Sequence, residues 1–328
     1  MALFHKNKEN FEDEVEGRVR GRLRPAALFF TTTRNPQPAT RNQLKRRPFP
    51  SMIETKGPYP SLPKSYKGRY PFSLSTTSFI YPADYIPNVN LLGPYVDEIE
   101  LLLFESNDIA SLFSVSVIDE LCRLASDLNI GYNIHLPTDV SLSAPDISQQ
   151  RIAVDTYKNV IQRMLPLAPT TFSLHIPYDE GDQETTTINT WRDRIRSNLE
   201  RLLSSGLDGQ AISIETLDYP LDRIEDIILD LNLSICLDVG HLILNGYNIE
   251  DLFNRFRSRI SVIHLHGVEN NQDHISLDRL PQHCINPIIE ILKHYTGIVS
   301  LEVFSYNNLN PSLHVLEMWC RNFITTET

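Results

Sequence analysis

Residues 76–89 read TTSFIYPADYIPNV, and they close and follow a short β-rich run, FSLSTTSF, at 72–79. An open doubly wound sheet carries a glycine-rich phosphate loop after its first strand. This junction contains no glycine. Outward from it the chain alternates strand and helix. Further β-rich runs are EIELLLFE, GYNIHLP, TFSLHIP, AISIETL, LSICLDVG, SVIHLHG and IVSLEVF. Between and after them, VSVIDELCRLASDL, VDTYKNVIQRML, WRDRIRSNLERLLSS, RIEDIILDL and SLHVLEMWCRNF carry apolar residues at three- and four-residue spacing, the helical period. Eight strands, each followed by helix, predict a closed parallel (β/α)8 barrel, a TIM barrel, over residues 71–328.

Residues 1–70 read differently. RVRGRLRP, RNPQPATRNQLKRRPFP and GPYPSLPKSYKGRYP mix proline with basic residues and keep no period. Such a segment buries too little apolar surface to offset its ordering entropy, which predicts a disordered N-terminal extension, with Met52 as an alternative start. The extension holds 15 Lys/Arg against 6 Asp/Glu, a balance of +9. The whole chain holds 30 against 41, so the barrel carries −20. An acidic body disfavours a nucleic-acid track, because phosphate contacts supply most of such affinity. No apolar run is long enough for a membrane span, and the first residues show no signal-peptide core. Cys122, Cys236, Cys284 and Cys320 are scattered without a CxxC pair. The expectation is a cytoplasmic protein with buried thiols.

Active sites of such barrels are built at the C-terminal strand ends. Here six strands finish on residues that bind metals: His135, His175, Glu215, Asp238, His266 and Glu302. Residues two positions earlier share the inward facing, and these are Asn133, Ser173, Ser213, Cys236, His264 and Ser300. A lone strand-end histidine is ordinarily a hydrogen-bonded structural residue. Six ligand-type residues in one register are not, because clustered carboxylates repel and lose hydration unless cations relieve both costs. His241 follows Asp238 by three residues, and Asp273 and His274 lie in the loop after strand seven. His264 has the right facing one layer deeper, which favours a packing or supporting role over a ligand role. His5, His283, His294 and His314 read as ordinary. Mixed imidazole and carboxylate donors suit Zn²⁺, Mn²⁺ or Fe²⁺ better than Mg²⁺, and their number suggests two or three ions.

These motifs resemble the xylose isomerase-like barrel superfamily, which includes endonuclease IV and many sugar isomerases and epimerases. The resemblance implies that a core metal is held by Glu215, Asp238, His266 and Glu302. Likeness to endonuclease IV adds His135, His175, His241 and His274. Asp273 departs from that pattern, being adjacent to the histidine where the family has one residue between. A closer likeness, carried by PFSLSTTSFIYPADYIPNVNLLGPYVDEIELLLFES, IHLP, IETLDYP, LDVGHLI, VIHLHGV, DHISL and LEVF, is to the CbiR family of cobamide-remodelling phosphodiesterases. It implies hydrolysis within the nucleotide loop of a cobamide, a small-molecule substrate, giving a cobinamide phosphate and an α-riboside. Glu215, Glu302 and His274 would be the catalytic groups among the ligands. Thr76, Thr77 and Tyr81, just after strand one, are candidate substrate contacts, although turn chemistry explains them equally. Glu105 could line the mouth. The rival expectations are a one-metal isomerase or epimerase, an apurinic endonuclease, and a binding protein on a barrel scaffold.

Overall fold

The computed structural model describes residues 59–107 and 109–323. Expectations for residues 1–58, including disorder, the Met52 start and the reading of His5, lie outside the described residues. The unit that holds the site is Ser61–Thr328.

Its strands are β1 (Ser73–Thr77), β2 (Glu98–Leu102), β3 (Gly131–His135), β4 (Phe172–Leu174), β5 (Ile212–Glu215), β6 (Ser234–Asp238), β7 (Ile260–Leu265), β8 (Gly267–Glu269), β9 (Gln272–Ile275) and β10 (Ile298–Leu301). All except β8 and β9 close into one parallel barrel in the order β1-β10-β7-β6-β5-β4-β3-β2. The helices are α1 (Tyr85–Leu92), α2 (Ile109–Leu112), α3 (Val115–Leu128), α4 (Ile147–Met164), α5 (Thr185–Leu203), α6 (Glu225–Asp230), α7 (Val239–Leu244), α8 (Ile249–Phe256), α9 (Gln282–His294) and α10 (Tyr306–Cys320). The (β/α)8 reading therefore holds.

Period-two alternation sorts each strand. Ile99, Leu101, Ile134, Leu174, Ile214, Leu237, Leu265 and Leu301 are fully buried, as residues pressed between barrel and helices should be. Helix periodicity supplies the other half of that layer. In α3, Ile118, Leu121 and Leu124 are buried, and the helix stops at Asn129 in the left-handed region (φ 50°). Asp146 caps α4 by accepting from the N–H groups of Ser148 and Gln149. Inside the barrel an apolar cluster of Cys236, Val262 and Ile298 gives way to buried polar groups.

Two features differ from the expectation. Residues 61–70 pack on the barrel: Leu62, Tyr66 and Tyr70 are buried, Tyr66 N–H donates to Tyr95 O, and Lys64 and Arg69 both meet Glu317 on α10. Burial of Leu62, which stabilises by about 1.5–3 kcal/mol, and of the rings of Tyr66 and Tyr70 offsets the local proline and charge content. The segment after β7, expected as loop, is the antiparallel hairpin β8–β9. Asn270 and Asn271, both with positive φ, form its two-residue turn. All four cysteines are free thiols, and three are buried.

Candidate metal centre

The ligand-type residues converge at the C-terminal end of the barrel in three adjoining groups, and a fourth combination, Glu215, Cys236 and His264, overlaps the second of them. In the first, Glu215 at the end of β5 lies between two imidazoles: His135 Nε2 is 3.1 Å from Oε2, and His175 Nε2 is 3.0 Å from Oε1. His135 Nδ1 lies 3.0 Å from the Leu136 carbonyl, which fixes a proton there and turns Nε2 toward the group.

The second group joins Glu215, Asp238, His264 and Glu302, all buried. His264 Nδ1 is 3.0 Å from Glu302 Oε2, 3.7 Å from Glu215 Oε2 and 3.9 Å from Asp238 Oδ2. The strand-seven member of this four-residue group is thus His264, whereas His266, expected in that place, lies in another group. The reason is register. His264 pairs across the sheet with Asp238, so the stagger of the barrel brings the deeper-seeming residue level with the carboxylates.

His266 belongs to the third group, with His241 and His274. Asp238 places His241 by capping α7: its Oδ1 accepts the His241 N–H at 2.7 Å. His274 sits on β9 with φ 52°, a strained backbone for a non-glycine residue, and its N–H donates to His266 Nδ1 at 2.9 Å. His241 Nδ1 faces the Thr216 carbonyl at 3.2 Å and His274 Nδ1 the Glu302 carbonyl at 3.1 Å, so both present Nε2 as a lone pair. His266 Nε2 faces Asp238 Oδ1 at 3.2 Å. Gly240 makes room for this ring, since a Cβ there would stand 1.9 Å from His266 Cε1. Asp273 is peripheral, 4.0 Å from His241 Nε2 and outside the three groups.

The electrostatics match the geometry. Burial pushes the Glu215 carboxyl up, but the charges of His175 and His264 and the hydrogen bond from His135 outweigh it and hold the group well below its ordinary range. Asp238 is held down in the same way, against burial, by His241 and His266. Burial lowers His266, and the adjacent Asp238 overrides it, raising the imidazole to about 9. His274 is pushed down to about 4 by burial and by its neighbour His266. Glu215 Oε1, Glu302 Oε2 and His264 Nδ1 are buried without an aligned hydrogen bond. Lone pairs turned toward one another in this way fit a shared divalent cation.

The remaining expected contacts are placed elsewhere. Thr76 and Thr77 donate their hydroxyl hydrogens to the carbonyls of Leu301 (3.1 Å) and Val303 (2.7 Å), so they lock β1 to the β10 strand and cannot donate to substrate. Tyr81 is buried with its ring stacked on Tyr306. Glu105 is exposed beyond β2. His283, His294 and His314 are exposed on α9 and α10, as expected of ordinary residues. Sequence reasoning missed Glu98 and Glu100, two buried carboxylates on β2; the alternating EIE of that strand was the available signal. A row of half-exposed rings borders the third group: Phe304 is 4.9 Å from His274, Phe104 is 5.9 Å from Phe304, and Phe79 is 5.0 Å from Phe104.

Fold and site together define a TIM barrel with a histidine- and carboxylate-lined mouth. Residues 94–322 match the family described as xylose isomerase-like TIM barrel, and the chain belongs to that family. Among solved structures it is similar to a D-tagatose 3-epimerase-like protein (15% identity, TM-score 0.64, covering 76% of this chain and 98% of that one). It is also similar to the probable 3-DHS dehydratase AsbF of Bacillus anthracis (16%, TM-score 0.60, 75% and 98%). A third is endonuclease IV of Thermus thermophilus (13%, TM-score 0.58, 76% and 99%). At such identities the likeness concerns the fold alone. No curated protein matches the chain. No helix among the described residues is long and apolar enough to cross a membrane.

Proposed function

We propose that the protein is a metal-dependent phosphodiesterase that hydrolyses the nucleotide loop of cobamides, releasing a cobinamide phosphate and an α-riboside so that the lower ligand can be exchanged. One observation carries the reading: Glu215 belongs to two ligand groups at once, while Asp238 borders the third through His266. Contiguous groups of this kind suit two or three Zn²⁺, Mn²⁺ or Fe²⁺ ions side by side. Such cations, when bound, neutralise a phosphodiester and acidify water at neutral pH.

The residues supply position and proton traffic. Glu215, anchored at the end of β5 between His135 and His175, keeps the first two groups in register. Glu302 places its buried Oε2 beside His264 Nδ1, where it would help hold the cation that acidifies the water. His274 is neutral near pH 7, which suits a lone-pair donor rather than an acid. In the reaction the water oxygen bonds to phosphorus, the bond from phosphorus to the ribose oxygen breaks, and that oxygen departs with a proton. Phosphate stays on the cobinamide. The Phe304–Phe104–Phe79 row offers an apolar edge beside the third group, suited to a flat ring.

A one-cation isomerase would use Glu215 and Glu302 to pass a proton at carbon, but it leaves the first and third groups without a task. Cleavage at apurinic sites would bring polyanionic DNA to a body of charge −20. The test is incubation of the purified chain with an adenosylated cobamide, with Zn²⁺, Mn²⁺ and Fe²⁺ each supplied. Release of a base-bearing riboside is expected; unchanged substrate with all three ions overturns the cobamide reading.

A further inference from the structure

The geometry points to Glu100 as a positioning residue that turns His264 toward the cation site, an inference that rests on reading Glu215, Asp238, His264 and Glu302 as that site. Glu100 lies on β2, fully buried, and pairs in register with Thr77 on one side and Asn133 on the other. Its Oε1 stands 3.1 Å from His264 Nε2. The Ser300 hydroxyl donates to its other oxygen, Oε2, and holds the carboxylate in place. His264 is itself fully buried, with Nδ1 on the far side of the ring, 3.0 Å from Glu302 Oε2.

An imidazole has two nitrogens, and only the one without a proton binds a metal. A carboxylate facing Nε2 holds the proton there, and the lone pair then belongs to Nδ1. Glu100 is spaced for that task, although in the present ring orientation the N–H does not point along the contact. A cation held at Nδ1 would favour the ring orientation in which this contact is straight. The same logic explains why a carboxylate sits in the barrel interior, where an unpaired one is costly. The arrangement Glu100–His264–cation is one in which the carboxylate fixes ring orientation and raises the basicity of the ligand.

The experiment uses the full chain with Zn²⁺ and Co²⁺ as probes. Zn²⁺ affinity is measured by competition with a chromophoric chelator, and the Co²⁺-loaded protein is followed by its visible absorption. Glu100→Gln keeps the shape but loses the charge. It is expected to weaken one site by about 10–100-fold and to shift the Co²⁺ bands, while the metal-free melting temperature stays the same or rises. Should Glu100→Gln fail to fold, Ser300→Ala removes the carboxylate's anchor and is expected to shift affinity and bands in the same direction by less. Glu100→Asp, which retains the charge, should restore part of the affinity. Wild-type affinity and an unshifted Co²⁺ spectrum in a folded Glu100→Gln, or in Ser300→Ala where Gln does not fold, reduce Glu100 to a structural carboxylate and overturn the inference. If the unmodified chain binds neither ion, the cation-site reading itself falls, and the role of Glu100 with it.

Discussion

His264 Nδ1 and Glu302 Oε2 lie 3.0 Å apart inside the barrel, the imidazole from β7 and the carboxylate from the residue after β10. Neither atom has an aligned hydrogen bond. Two adjacent strands thus present donor atoms to one point, and the contact separates two histidines that sequence spacing makes look interchangeable. His264→Gln should cost the cation shared with Glu215, Asp238 and Glu302 and abolish turnover, whereas His266→Gln should disturb only the third group. Metal content after dialysis distinguishes them. Equal losses in the two variants would remove the distinction drawn here.

Glu215→Gln tests the shared carboxylate. Because Glu215 serves two groups, one substitution should release more than one equivalent of metal and eliminate activity while the circular dichroism spectrum stays native. Retained turnover would break the ligand assignment.

Gly240→Ala probes the third group without replacing any of its members. The new methyl would meet His266 Cε1 at 1.9 Å, so the ring must move or the helix start must shift. The expected cost is about 1–3 kcal/mol in denaturant titration, together with weakened metal binding. A variant with unchanged stability and metal content would show that the ring has room the structure does not give it.

Metal binding should depend on pH through His266. Burial lowers its pKa and Asp238 more than offsets that, to about 9. Below that value the imidazole gains a second proton, which competes with the His274 N–H at Nδ1 and with a cation for the ring, so affinity should rise with pH up to about 9 and proton release should accompany binding. Zn²⁺ titrations between about pH 6 and 8 in buffers of different ionisation enthalpy measure both. Affinity that is flat across this window would exclude His266 as a titrating ligand.

Glu98 offers a stability test away from the metal groups. Burial raises its carboxyl, and hydrogen bonds from Asn133 and Thr170 only partly oppose this, leaving it at about 7. The folded pKa lies above the unfolded value, so the folded chain keeps a proton that the unfolded chain has released. Stability from this group is present below about 4.5 and is lost as pH rises through about 7. Glu98→Gln removes the loss. Relative to wild type it should gain up to about 3 kcal/mol at about pH 8 and nothing near pH 4.5. A gain independent of pH would point to packing instead.

Much of the fold was legible because two periods coexist in the chain: β-rich runs ending in ligand-type residues, and apolar helices between them. VSVIDELCRLASDL coincides with α3 residue for residue. His135, Glu215, Asp238 and Glu302 could be found for the same reason, since a strand end in a barrel is a known place. What stayed hidden depends on relations between strands. Barrel stagger sets which of His264 and His266 stands level with Asp238, and no single strand records it. Glu98 and Glu100 drew no reading, because their burial depends on β2 being closed on both sides by β1 and β3. Thr76 and Thr77 read as mouth residues until their hydroxyls are found on backbone carbonyls of the eighth barrel strand and its exit. In residues 61–70, Leu62, Tyr66 and Tyr70 were outvoted by the basic and proline residues around them.

The most direct test of a multi-cation centre is the number of metal ions per chain, measured by elemental analysis after equilibration with Zn²⁺, Mn²⁺ or Fe²⁺ and removal of loosely held ions. The account predicts two or three equivalents, matching the adjoining ligand groups around Glu215 and Asp238. A single equivalent, or none, would contradict it.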